Sequence, residues 1–156
     1  MDIKDFELLV RYEMDKYGLN DWTWKYNRAT SGQCSCRYSV KLLKFCKSYV
    51  ALNELHIVLD TILHEIAHAL VGAGHGHGHV WASKCLEIGC RPDRFHRAEA
   101  IQAPPKWQYH CPECSNQGQY RRRNTHLYCG RCYRQTKKVN MLVWTLNKSV
   151  PNGQHQ

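Results

Sequence analysis

His64 and His68 stand four residues apart with Glu65 between them, in the run His64-Glu65-Ile66-Ala67-His68. On a helix, residues four apart share one face, so the two imidazoles can hold one metal ion. Glu65 lies roughly 100° round the same helix, which puts its carboxylate beside such an ion rather than on it. A base acting on water at the metal needs that position. Zinc held by three neutral nitrogens keeps its fourth tetrahedral place open, and the pKa of a water there falls to ~7. Glu65 would take that water's proton as it attacks a peptide carbonyl, then pass the proton to the leaving amine. The chemistry expected of these residues is zinc-dependent hydrolysis of peptide bonds.

A straight helix cannot bend a third side chain round the same ion, so the third ligand must come from elsewhere. Glycines at 72, 74, 76 and 78 let the chain double back, and His75, His77 and His79 are all within reach. The metzincin pattern requires a histidine six residues after His68; that position is Gly74.

A second metal centre is written in cysteine. Cys111-x-x-Cys114 and Cys129-x-x-Cys132 are separated by 14 residues. Each pair can form a tight knuckle, and two knuckles close a tetrahedron of four thiolates with no open place. That zinc would be structural, because a segment of under ~40 residues has too small a core to fold without it. Between the knuckles runs Gln119-Tyr120-Arg121-Arg122-Arg123-Asn124-Thr125-His126-Leu127-Tyr128, and Lys137 and Lys138 follow the second knuckle. Cations interleaved with aromatics can neutralise phosphates and stack on bases, so Arg121, Arg122, Arg123, Lys137 and Lys138 are candidate nucleic-acid contacts. The alternative is a solvated basic hairpin. The remaining cysteines, Cys34, Cys36, Cys46, Cys85 and Cys90, read as small buried hydrophobes.

Charge marks the same division. The chain has 156 residues and a formal charge of +9. Residues 1–103 carry 13 Lys/Arg against 12 Asp/Glu, while residues 104–156 carry 9 against the single Glu113. Such asymmetry points to a polyanionic partner for the C-terminal third. Apolar residues make up 43%, too many for a disordered chain. No run approaches the ~20 apolar residues of a membrane span, and the amino terminus has no secretory pattern. The expectation is an intracellular, cytoplasmic protein, associated with the nucleoid or DNA, or nuclear in a eukaryotic host. Nine cysteines would stay reduced there.

The elements that must position these groups follow from periodicity. Phe6, Leu9, Val10, Met14 and Tyr17 predict an amphipathic helix over 5–17 that Gly18 ends. Trp22, Trp24 and Tyr26 alternate with polar residues as in a strand, Ser31-Gly32 marks a turn, and the β-formers of 33–51 predict a hairpin. Asn53 can cap a helix running to about Val71, with Leu55, Val58, Leu59, Ile62, Ile66 and Leu70 as its apolar stripe. A short helix over 80–88 follows the histidine loop, with Trp81 as its core anchor. Ala103-Pro104-Pro105 is a stiff linker.

The run His64-Glu65-Ile66-Ala67-His68-Ala69-Leu70, followed by Gly76-His77-Gly78-His79-Val80-Trp81, resembles the SprT-like metallopeptidases, which include the Spartan proteases that digest proteins crosslinked to DNA. The family pattern is His-Glu-x-x-His, a loop of variable length, then Gly-His-Gly-x-x-Trp or Phe, with the histidine of that last segment as third ligand. Mapped onto this chain, the resemblance makes His77 the third ligand, beside His64 and His68. It extends upstream through Val58-Leu59-Asp60-Thr61-Ile62-Leu63 and downstream to a ribbon like that of bacterial SprT, over roughly residues 20–140. The expected architecture is α+β: a zincin-like metallopeptidase core over 1–103, a four-cysteine zinc ribbon over 104–145 and a disordered tail over 146–156. The expected cofactors are one catalytic and one structural Zn2+. The expected partners are protein substrates and DNA, with no membrane, and the chain is expected to be a monomer. The rival reading is a non-enzymatic zinc-ribbon protein that binds nucleic acid.

Overall fold

Asp2 starts the first helix, its carboxylate accepting the Lys4 backbone N–H at 2.7 Å, the usual way an N-cap satisfies an orphan donor. Helix α1 (Ile3–Lys16) then buries Phe6, Val10 and Met14. In this computed structural model, which describes residues 1–29, 32–93 and 99–147, the chain forms two units, Met1–Gln102 and Ala103–Gln156. The class is α+β, with a small three-stranded sheet in each unit.

In the first unit, strands β1 (Thr23–Asn27), β2 (Ser35–Arg37) and β3 (Leu42–Cys46) form a sheet in the order β1-β3-β2. β3 is central, parallel to β1 and antiparallel to β2, which is left as an edge. A 3-10 turn, Tyr38–Val40, joins β2 to β3 and ends at Lys41 with φ 45°. Phe6 packs edge-on against Phe45 and Trp24, with centroids 5.3 and 5.5 Å away. Helices α2 (Lys47–Leu52), α3 (Leu55–Val71) and α4 (His79–Ile88) complete the unit. α3 runs through its centre, burying Val58, Ile62 and Ile66 against the aromatic core.

The chain departs from the sequence reading at two places here. The hairpin expected over 33–51 stops at Cys46, and Lys47–Leu52 is helical. Tyr49 and Val50 are both buried; neighbours on a strand point to opposite faces, whereas a helix turns both inward. Asn53 does not cap α3, whose N-cap is Glu54. Instead the buried Asn53 side chain donates to the Tyr49 carbonyl at 2.7 Å and the Ile101 carbonyl at 2.8 Å, and accepts the Ile101 N–H at 2.7 Å. Its amide stitches the end of the unit to α2.

The second unit holds β4 (Trp107–His110), β5 (Gln117–Tyr120), the short helix α5 (Gly130–Thr136) and β6 (Val143–Leu146). The sheet order is β5-β4-β6, antiparallel throughout. Strand alternation gathers Trp107, Tyr109, Tyr120 and Trp144 on one face. Gly118 sits opposite Tyr109 on that face: a Cβ there would meet the Tyr109 hydroxyl at 2.6 Å. The tail expected over 146–156 lies outside the described residues from 148 on, and Leu146 closes β6. Among the described residues no helix is long and apolar enough to cross a membrane.

Candidate metal centres and the cleft

α3 presents His64, Glu65 and His68 within one turn, because its 17 residues form a regular helix. The loop after it turns back through Gly72, Gly74 and Gly76, with φ of 80°, 95° and 50°, values that suit glycine and strain other residues. This reversal brings His77 over the helix. Its Nε2 lies 3.2 Å from the Nε2 of His68 and 3.2 Å from that of His64. His75 and His79 stay exposed and outside this group.

Those spacings suit zinc. Tetrahedral Zn–N bonds of ~2.05 Å set ligand nitrogens about 3.3 Å apart. The His68 imidazole is also in the right charge state: burial, with His77 adding to it, pushes its pKa down to about 4, so at neutral pH it offers a lone pair. Trp81 fixes the three rings. The indole is 1% exposed, its ring 4.7 Å from that of His64, 5.2 Å from His68 in a stacked pose and 4.6 Å from His77. The histidine cluster thus rests on the packed core through Trp81, with His68 buried and His77 exposed.

Glu65 is buried, and burial pushes the pKa of its carboxyl up to about 8. A carboxylate in an apolar pocket holds a proton strongly, and a cation at the adjoining histidines would favour its ionised form. The group opens into a cleft of about 500 Å3 whose walls include Cys34, Cys36, Tyr38, His64, Glu65 and His77. Cys34 and Cys36 are not the buried filler that their residue type suggests; both are half-buried on the cleft wall. Burial raises both thiols, Cys36 to about 12, so they stay protonated and are poor metal ligands. The sequence held a signal for this wall: positions 34, 36 and 38 alternate as one face of a strand does. Cys46, Cys85 and Cys90 are buried.

In the second unit the four knuckle cysteines converge. Sγ of Cys111 lies 3.8 Å from that of Cys132, and Cys114 lies 3.5 Å from Cys129. Tetrahedral Zn–S bonds of ~2.3 Å give about 3.8 Å, so these thiols also fit zinc. The first knuckle closes with the Ser115 N–H on the Cys111 carbonyl, Ser115 itself at φ 55°. In the second, the Cys132 N–H donates to the Cys129 sulfur and, more than any other contact, lowers that thiol to about 6.

Arg121, Arg122 and Arg123 are exposed on the segment after β5. The Arg123 guanidinium sits 5.5 Å above the Trp107 ring, and Arg121 reaches the Ala103 carbonyl at 3.5 Å. Lys137 ends α5 at φ 61° with its ammonium 5.6 Å from the Tyr133 ring, and Lys138 is exposed beside it.

Comparison with known proteins gives one match. The sequence model described as the SprT-like family covers residues 5–100, more than half of the chain. No curated protein and no solved structure matches significantly.

Proposed function

The chain belongs to the SprT-like family, and from that premise we propose that it is a zinc-dependent metallopeptidase with a zincin-like core, acting on proteins associated with or crosslinked to DNA. The observation that carries this reading is the convergence of the His64, His68 and His77 Nε2 atoms at a cleft that Glu65 also lines. A purely structural site has no use for a carboxylate base beside it, nor for an open cleft above it.

His64, His68 and His77 would hold the catalytic ion. Zinc, when bound there, supplies Lewis acidity, polarising a carbonyl and making water acidic near neutral pH. Glu65 removes the proton from the attacking water, holds it on its carboxylate, and delivers it to the departing amine nitrogen as the C–N bond breaks. Its burial strengthens its basicity, because a carboxylate poorly solvated in its charged form accepts a proton readily. Trp81 keeps the imidazoles in register through each turnover. In the second unit Cys111, Cys114, Cys129 and Cys132 would hold a structural zinc, while Arg121, Arg122, Arg123, Lys137 and Lys138 meet the DNA backbone. The net charge of this segment, 9 Lys/Arg against 1 Asp/Glu, supports a polyanionic partner.

The test uses the full chain with zinc and a protein crosslinked to DNA. Glu65→Gln keeps size and ligands, so zinc content should hold while hydrolysis falls at least ~100-fold, the scale of a lost general base. Equal cleavage by wild type and variant would remove the mechanism. No cleavage by either, with DNA binding intact, would favour the non-enzymatic ribbon reading.

A further inference from the structure

Adding water to a peptide carbonyl places a negative charge on its oxygen, and enzymes meet that charge with donors already aimed at it. Among the described residues the cleft lining includes no Lys or Arg, and the donors it offers are neutral. Five lining side chains can donate from oxygen or amide nitrogen: Gln33, Ser35, Tyr38, Tyr49 and Thr61. Thr61 spends its hydroxyl on the Ile57 carbonyl at 3.0 Å. Tyr49 is buried and packs with Cys46 and Ile57. Gln33 and Ser35 are exposed, free to turn towards solvent. Tyr38 differs from all four. It stands at the first position of the 3-10 turn, its ring packed against the main core, and its hydroxyl makes no hydrogen bond among the described residues.

Resting on the hydrolytic reading above, we propose that Tyr38 is a catalytic residue whose phenol donates a hydrogen bond to the oxyanion formed as water adds to the scissile carbonyl. In that step the water oxygen bonds to the carbonyl carbon, the C=O π pair moves to the oxygen, and Glu65 takes the water proton. Tyr38 keeps its own proton throughout and only shares it. Collapse re-forms the C=O bond and expels the amine, which takes the proton back from Glu65. The phenol is suited to this: burial above all raises its pKa, so it remains a donor at neutral pH. Tyr38 lines the same cleft as Glu65, His64 and His77.

The test compares wild type, Tyr38→Phe and Glu65→Gln, each as full chain with zinc, on a quenched fluorogenic peptide library. Deleting an unpartnered hydroxyl should leave thermal unfolding and zinc content unchanged. For Tyr38→Phe, kcat should fall by roughly 10²–10³-fold, the cost of one oxyanion donor, with KM within about twofold, since the interaction exists only in the transition state. Affinity for a phosphonate analogue of the best-cut peptide, a tetrahedral anion, should weaken by a similar factor. Wild-type kcat and phosphonate affinity in Tyr38→Phe, alongside an inactive Glu65→Gln, would overturn the role of Tyr38 alone. Hydrolysis unaffected by Glu65→Gln, or absent from the wild type, would overturn the hydrolytic reading and this proposal with it.

Discussion

The histidine cluster rests on a core that includes Phe6, Phe45, Ile62, Ile66 and Trp81, all under 2% exposed. The cysteine cluster has less beneath it: among the described residues the hydrophobic cluster of its unit is Cys111, Cys129 and Cys132 themselves, with Cys114 and Leu142 packed on it. Both sets of ligand atoms are spaced for tetrahedral zinc, yet the dependence runs in opposite directions. In the first unit apolar packing positions the candidate ligands, so a metal there would join a fold that already exists. In the second the candidate ligands are the core, so a metal bound there would take part in folding. Three candidate ligands in one cluster and four in the other match this split, since a site held by packing can leave one place empty, whereas a site that holds the fold uses all four ligands.

The sharpest way to break that comparison is to remove one thiolate. Cys111→Ser or Cys129→Ser should abolish the fold of the second unit, seen as collapse of its amide NMR dispersion, while signals from residues 1–102 persist. If the first unit unfolds as well, the two do not depend on metal differently. Removing one imidazole comes next. His77→Ala should lower zinc from two per chain to about one, given four-ligand closure at the other site, and leave the core folded. His75→Ala and His79→Ala should retain both ions. Loss of zinc from His75→Ala would show that the loop reverses differently from the path described.

The smallest effect concerns charge without metal. Replacing Arg121, Arg122 and Arg123 by Ala should preserve both zincs and the fold, because all three are exposed. DNA binding should weaken whatever the base sequence, and the slope of log affinity against log salt should become shallower by about 2 to 3. Cleavage of a free peptide should barely change. An unaltered slope would mean that these arginines, one of them seated on Trp107, are a solvated surface.

Local chemistry was the most legible part of the sequence. The grouping of His64 with His68, and of the four knuckle cysteines, follows from spacings of four and three residues that any helix or knuckle converts into proximity. The span of α3 is set by its apolar stripe and ended by Gly72. Long-range relations were hidden. Nothing near Thr23–Asn27 announces its parallel pairing with Leu42–Cys46, because strand partners are chosen by tertiary packing. Asn53 resembled a cap, but its amide was claimed by Ile101, 48 residues away. Cys34, Cys36 and Tyr38 carried the alternation of a strand face, but which face overlooks the histidine cluster is fixed only once β2 docks beside β3.

Trp81 has an optical consequence as well as a mechanical one. Indole emission responds to neighbours within a few ångströms, and this indole has all three candidate ligand rings at about that distance. Imidazole sites accept Cu2+ and Ni2+ as well as Zn2+, and open-shell ions quench indole fluorescence where closed-shell zinc does not. The protein therefore carries its own occupancy gauge. Titrating Cu2+ into the metal-free chain should darken the emission of Trp81, and a chelator that strips the copper should restore it. Of the five tryptophans, the one in contact with His64, His68 and His77 should account for the response, so the Trp81→Phe chain should give a titration that is nearly flat.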